Sequence, residues 1–306
     1  MQNVQKQKRD MLDSDSFVGW LFSAPFLILW ISWFLYPFIQ SFSLSFQSFD
    51  FLNPDNAKFV GLENYKNLFQ NNPEFYKALW HSVQIVLIAV PVQTIIALLL
   101  AGALNKDIKG QGFFRTVYVM PNITSGIAAA TVFMILFRQD HLITRVLSTV
   151  FKLPNETWTA NVNLALPFVI ILYIWQQVGF FMIIYLAGLQ DIPKELYEAS
   201  TVDGANGWQR FHNITVPMLR PVTFFVVTVG TINAFQIFDQ VAAISRYGVL
   251  GSPAGATSTL LTYFYQHGIR YTEDMGLGSA SVIVFFLIIL AITLLQKKLL
   301  DEKEEV

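Results

Sequence analysis

Gln190-Asp191-Ile192-Pro193-Lys194-Glu195-Leu196-Tyr197-Glu198-Ala199-Ser200-Thr201-Val202-Asp203-Gly204-Ala205 is a polar stretch that keeps an apolar stripe. Ile192-Pro193 opens a helical run, because first-turn amides lack intrahelical partners and lose nothing to a proline. Leu196, Ala199 and Ser200 follow at helical spacing, and Ala199 and Ser200 are small enough to admit another surface closely. Asp203-Gly204 breaks the run, since glycine accepts the backbone angles of a helix-ending turn. A second short helix is expected over about 206–215, with Trp208, Phe211 and His212 on one side and Pro217 and Pro221 ending it. Periodicity alone also fits an amphipathic element lying at a membrane interface.

What surrounds this stretch is apolar. Of 306 residues, 54% are hydrophobic and 13% charged, against about 25% charged in an average soluble domain. The apolar residues cluster in runs near the roughly 20 residues that a membrane-spanning helix needs. Six spans are predicted, over 17–38, 80–104, 116–137, 164–186, 222–244 and 277–295, in one transmembrane domain covering 1–306. The expected class is an all-α integral membrane protein. Lys6, Lys8 and Arg9 precede the first run as in a signal peptide, but the run exceeds the usual h-region of about 7–15 residues and no small-x-small site closes it. It is expected to stay as a span. Residues 68–80 and 142–151 have helix-like spacing and are expected to lie along the membrane surface.

Lys and Arg divide unevenly between alternate loops. Twelve of the twenty fall on the N-terminus, the second and fourth loops and the tail, and eight, Arg246 among them, on the others. The basic side faces the cytoplasm, so both termini and the 190–221 loop are expected there. A net charge of −1 gives no reason to expect nucleic-acid binding. With no cysteine, disulfides and thiol chemistry are excluded. No span has an ionisable residue near its centre, which disfavours proton- or ion-coupled transport. There is no G-x-x-x-x-G-K-[ST] phosphate loop, no His/Glu metal spacing and no nucleophile in a catalytic setting. No catalytic or metal-ligating residue is expected, and no cofactor in this chain. A membrane protein with no chemistry of its own most simply forms a passage and draws energy from a partner.

Glu198-Ala199-Ser200, Asp203-Gly204-Ala205 and then Phe211, Ile214, Pro217 and Pro221 closely resemble the E-A-A motif region of binding-protein-dependent ABC importer permeases, in the sugar-type spacing E-A-[AS]-x-x-D-G-A. Ser23-Ala24-Pro25-Phe26, Phe59-Val60-Gly61-Leu62-Glu63-Asn64-Tyr65 and 115–121 are similar to the sugar branch, most of all to the first permease of maltose- and glycerol-phosphate-type pairs. The resemblance implies a six-helix, MetI-like fold in a bacterial or archaeal cytoplasmic membrane. It implies a heterodimer with a second permease, a cytoplasmic ATPase dimer that binds ATP and Mg, and an extracytoplasmic solute-binding protein that delivers a sugar or oligosaccharide. The motif helix is implied to dock on the ATPase, with Glu198, Ala199, Ser200, Asp203, Gly204 and Ala205 forming the coupling contact.

In-span amides mark a possible path. The fourth span holds Trp175, Gln176 and Gln177, then Phe180. The fifth holds Asn233, Gln236 and Gln240, spaced three and four apart and so expected on one helix face. Amides also serve as glue between membrane helices. The resemblance places Trp175, Gln177, Phe180, Asn233 and Gln236 near the family's solute contacts. The alternatives are a permease of the same fold for glycerol phosphate, a polyamine or a peptide, and, less favoured, a secondary transporter.

Overall fold

The computed structural model describes residues 2–70, 72–106, 109–245, 248–270 and 275–300; Arg246 and Lys303 of the charge pattern lie outside them. The chain is helical almost throughout. Helix α1 (Gln2–Trp30) continues through a π-turn at Ile31–Leu35 into α2 (Tyr36–Leu44). A two-residue antiparallel hairpin follows, β1 (Gln47–Ser48) with β2 (Lys58–Phe59), pairing Gln47 with Phe59 and Ser48 with Lys58. Next come α3 (Glu63–Gln70), α4 (Pro73–Leu104), α5 (Gln111–Ile123), α6 (Gly126–Leu136), α7 (Leu142–Phe151) and α8 (Ala165–Gln190). The second half holds α9 (Lys194–Val202), α10 (Gly207–Arg210), α11 (Val216–Met218), α12 (Arg220–Phe235), α13 (Asp239–Ile244), α14 (Leu260–Tyr265) and α15 (Met275–Leu300).

Among the described residues, five helical stretches are long and apolar enough to cross a membrane: Ser16–Leu44, Pro73–Leu104, Ala165–Gln190, Arg220–Ile244 and Met275–Leu299. The sixth apolar run, read as one span over 116–137, is two helices, α5 and α6, bent by 100°. Its sequence explains the break. Pro121 lacks an amide hydrogen, the Thr124 hydroxyl donates to the Met120 carbonyl at 2.9 Å, and Thr124 and Ser125 are extended before Gly126 restarts the helix. Short polar side chains that bond the nearby backbone compete with the helical ladder.

Two other expectations change. Residues 68–80 do not form one surface helix: Leu68–Gln70 close α3, while Pro73 opens the long α4, whose first turn is capped by the Asn72 side chain accepting from the Phe75 amide at 2.9 Å. Nor do Pro217 and Pro221 stop the chain from being helical. The turns over Gly207–Arg210, Phe211–Thr215 and Val216–Met218 run on almost directly into α12. Pro221 sits in the first turn of α12, where its missing amide costs little, and Pro217 comes just after the π-turn at Phe211–Thr215.

Small residues bring the long helices together, as membrane helix interfaces require. Ala89, Ala97 and Ala101 of α4 are fully buried. A Cβ on Gly179 of α8 would lie 1.7 Å from the Tyr118 carbonyl oxygen of α5, so the two backbones touch there. Three apolar clusters follow. One joins α4, α6, α8 and α13 around Phe168 and Tyr173. A second gathers Ala97, Ala101, Phe181, Tyr185, Ile192 and Leu219. The third packs Leu68 and Phe75 against Phe235, Tyr263 and Phe285. By contrast the first long helix presents Trp20, Phe22 and Trp33 almost uncovered.

Candidate functional site

Two regions concentrate the residues that the sequence singles out. The first is the 190–221 segment. Helix α9 ends in a reciprocal pair of turn bonds: the Ala205 amide donates to the Ser200 carbonyl at 2.9 Å and the Gly204 amide to the Thr201 carbonyl at 3.1 Å. Gly204 has φ +77°, the left-handed position that this helix ending requires. A capping box then starts α10. The Asn206 side chain accepts from the Gln209 amide at 2.9 Å, and the Gln209 side chain accepts from the Asn206 amide at 2.8 Å.

Tertiary contacts hold the segment to the helical body. Ile192 is buried in the second apolar cluster beside Tyr197 and Ile214. The Tyr197 and Thr215 hydroxyls meet at 2.9 Å, and Arg210 donates to the Thr201 hydroxyl at 3.2 Å. The opposite side is open. Glu198, Ala199, Asp203 and Gly204 are exposed, as are Val202 at 89% and Trp208 at 73%. A carboxylate, small residues and two large apolar side chains are thus uncovered within this segment, while Ser200 and Ala205 are partly covered.

The second region lies between α8 and the α12–α13 junction. The expected single face of Asn233, Gln236 and Gln240 does not exist as a continuous helix: α12 ends at Phe235 and α13 begins at Asp239. The Thr259 hydroxyl donates to the Ile237 carbonyl at 3.3 Å, satisfying one of the acceptors that the break exposes. The break still gathers the amides. Gln177, Asn233, Gln236 and Gln240, with Tyr173 and Asp239, line a cavity of about 360 Å³, within the range of small-molecule sites.

Hydrogen bonds tie this lining to its surroundings. Gln240 donates to the buried Gln176 carbonyl oxygen at 2.7 Å. Asn122, at the end of α5, donates to Gln177 at 3.3 Å. Trp175 and Phe180 are not in the lining: Trp175 packs on Phe133 of α6 with ring centres 4.9 Å apart, and Phe180 lies edge-on to Phe181. Both keep exposed surface. Sequence reasoning missed Tyr173, Asn122 and Asp239. The spacing of Tyr173 and Gln177 by one helical turn was a usable signal. The approach of α5 through Gly179 had none. No group of three or more metal-ligating side chains occurs among the described residues.

The family described as binding-protein-dependent transport system inner membrane component matches residues 68–303. The arabinooligosaccharides transport system permease protein AraP of Bacillus subtilis (strain 168) is 38% identical over 300 residues, covering 95% of this chain and 91% of that protein. The lactose transport system permease protein LacF of Rhizobium radiobacter is 32% identical over 280 residues, covering 91% and 92%. A chain from the crystal structure of a bacterial alginate ABC transporter, in complex with an alginate pentasaccharide-bound periplasmic protein, superposes with a TM-score of 0.74 at 22% identity, covering 93% of this chain and 95% of its own. That likeness is one of fold, and the fold is the MetI-like permease fold.

Proposed function

The chain belongs to the family of binding-protein-dependent transport system inner membrane components, and from that premise we propose that it forms, with a second permease, the membrane path of an ATP-driven sugar or oligosaccharide importer. The observation that carries the solute class is the 38% identity to an arabinooligosaccharide permease along 95% of the chain. The amide-lined cavity at Gln177, Asn233 and Gln236 supports it physically, because amides both donate to and accept from hydroxyl groups. Trp175 and Phe180, partly exposed on the same helix, would offer aromatic faces along the path beyond that cavity.

The energy comes from outside the chain. ATP and Mg belong to a cytoplasmic ATPase dimer, and an extracytoplasmic binding protein delivers the solute. Both termini and the 190–221 segment face the cytoplasm, in keeping with the Lys/Arg distribution. The open surface of Glu198, Ala199, Asp203 and Gly204, with Ser200 and Ala205 behind it, is the contact to the ATPase. Glu198 would meet a basic residue there in a charge-assisted hydrogen bond.

Reconstitution in proteoliposomes with the second permease, ATPase and binding protein tests this reading. Uptake of labelled neutral oligosaccharides, arabinotriose first, is expected to need ATP, and the purified chain alone is expected to hydrolyse none. ATP turnover by the chain alone would overturn the division of labour. Uptake of glycerol phosphate, a polyamine or a peptide, with no sugar carried, would overturn the solute class.

A further inference from the structure

Asp239 stands apart from the rest of the cavity. Its neighbours in the lining are four amides, the Tyr173 phenol and the apolar Ile237 and Phe238, and no lysine, arginine or histidine among the described residues joins them. The carboxylate is exposed rather than packed away. Its position is built. The bend between α5 and α6 brings Gly126, the first residue of α6, against it, and a Cβ there would lie 2.8 Å from the Asp239 Cβ and 3.4 Å from its Oδ2. The carboxylate therefore rests on the first turn of an 11-residue helix, an end that favours negative charge. The break at 236–238 presents Asp239 to the same space as the amides. An ionisable group in the membrane-spanning part of a chain is costly and is kept where it acts on a solute or an ion.

We propose that Asp239 is a specificity-determining residue that makes the path selective for uncharged, hydroxyl-rich solutes and against anionic ones such as uronates and sugar phosphates. The proposal rests on reading the cavity as part of the solute path. A carboxylate accepts hydrogen bonds from two hydroxyls at once, each stronger than a bond between neutral partners. Toward a second carboxylate or a phosphate it offers only repulsion, and among the described residues the lining holds no cation to offset it. Discrimination by a repulsive element of this kind needs no change in the amides.

The absence of cysteine from this chain allows a direct test in the fully assembled transporter, with partner subunits made cysteine-free. Gln236→Cys places one thiol in the lining, and its labelling by cationic and anionic methanethiosulfonates of matched size reads the local charge. The cationic reagent is expected to react faster by about tenfold at low salt, relative to the ratio for a free thiol, the order of effect of one nearby charge, and less so at high salt. Adding Asp239→Asn should bring the ratio close to that of the free thiol, while Asp239→Glu should keep it, which separates lost charge from a misfolded site. A free-thiol ratio with Asp239 intact, or a bias that survives Asp239→Asn, overturns the proposal. Protection of Gln236→Cys from both reagents during transport of the sugar carried in the uptake assay keeps the two readings apart. Protection without charge bias leaves the path standing and removes Asp239 from it. Failure of protection removes the cavity from the path, and the proposal with it.

Discussion

The 190–221 segment and the α12–α13 junction are both interrupted helices, yet their interruptions have different causes. In the segment, every break is signalled by residues within a few positions: Gly204 at φ +77°, the bonds closing on Ser200 and Thr201, and the reciprocal Asn206 and Gln209 cap. At the junction, Gln236 to Phe238 leave the helix without a glycine or proline among them. The partner of the freed Ile237 carbonyl is Thr259, more than twenty residues away. One geometry is written locally and the other is imposed by packing. Remote substitutions should therefore damage the cavity, and local ones the segment.

The largest effect is expected at Gly179. A methyl group there would lie 1.7 Å from the Tyr118 carbonyl oxygen and 3.0 Å from the Val119 nitrogen, both backbone atoms that cannot rotate away. Helix α5 must move, and with it Asn122, the partner of Gln177. Gly179→Ala is expected to cost about 3 kcal/mol, the upper end for over-packing, and to abolish transport. Thermal unfolding of the purified transporter and sugar uptake measure the two. Wild-type uptake by this variant would show that the cavity tolerates displacement of α5.

Next come Glu198→Lys and Gly204→Pro, each expected to abolish solute-stimulated ATP hydrolysis while the transporter still assembles. Proline cannot reach φ +77°, and it removes the amide that bonds Thr201. Gly204→Ala isolates the backbone term. Nothing lies within 4 Å of the added methyl, so the loss should be about 1–2 kcal/mol of left-handed strain and coupling should only weaken. A cysteine at Ala199 should crosslink to the ATPase. Normal stimulated hydrolysis in Glu198→Lys, with no crosslink, would make the exposed segment a membrane-surface anchor instead.

The contrast also explains what could be read in advance. Helix α7 (Leu142–Phe151) and the glycine turn at 203–204 were legible because hydrophobic spacing and turn chemistry are local. The long helices were legible from apolar run length, which the bilayer dictates. The bend at Thr124–Ser125 was not, since the run from 116 to 137 is apolar on both sides of Asn122, Thr124 and Ser125, and three polar residues also read as ordinary in-span polarity. For the cavity, amide spacing put Asn233, Gln236 and Gln240 on one face of a helix that does not continue, although all three line the same space, and Gln177 joined them through the family resemblance rather than through spacing. Asp239 and Asn122 entered only through the meeting of α13 with α6 and of α5 with α8, and no window of sequence contains those contacts.

Gln240 and Gln176 separate a path amide from helix glue. Gln240→Ala leaves the Gln176 carbonyl oxygen, on a residue 4% exposed, without the donor now at 2.7 Å, and an orphaned buried acceptor costs about 1–3 kcal/mol. Replacing both residues by leucine removes donor and acceptor together and should come close to neutral for stability. If the pair is glue alone, the double variant should transport as the wild type does. The cavity reading expects the double variant to be stable and slow. A stable double variant with full uptake would take Gln240 out of the path.

The smallest effect belongs to the cap of α10, and it tests the local half of the comparison. Asn206 and Gln209 are both exposed, so water replaces any hydrogen bond that a substitution removes. Asn206→Ala should therefore cost only about 1 kcal/mol, which corresponds to about fivefold faster hydrogen exchange at the Gln209 amide if that amide is released by local opening. Asn206→Asp keeps an acceptor at the same place and adds a negative charge to a helix start that favours it, so exchange should stay slow. Because the two bonds of the cap close within 206–209, the change should stop at α10 and leave the amides of α12 and α13 as protected as before. Faster exchange spreading past Leu219 into α12 would mean that the segment and the cavity open as one unit, and the division between locally and remotely determined geometry would fail.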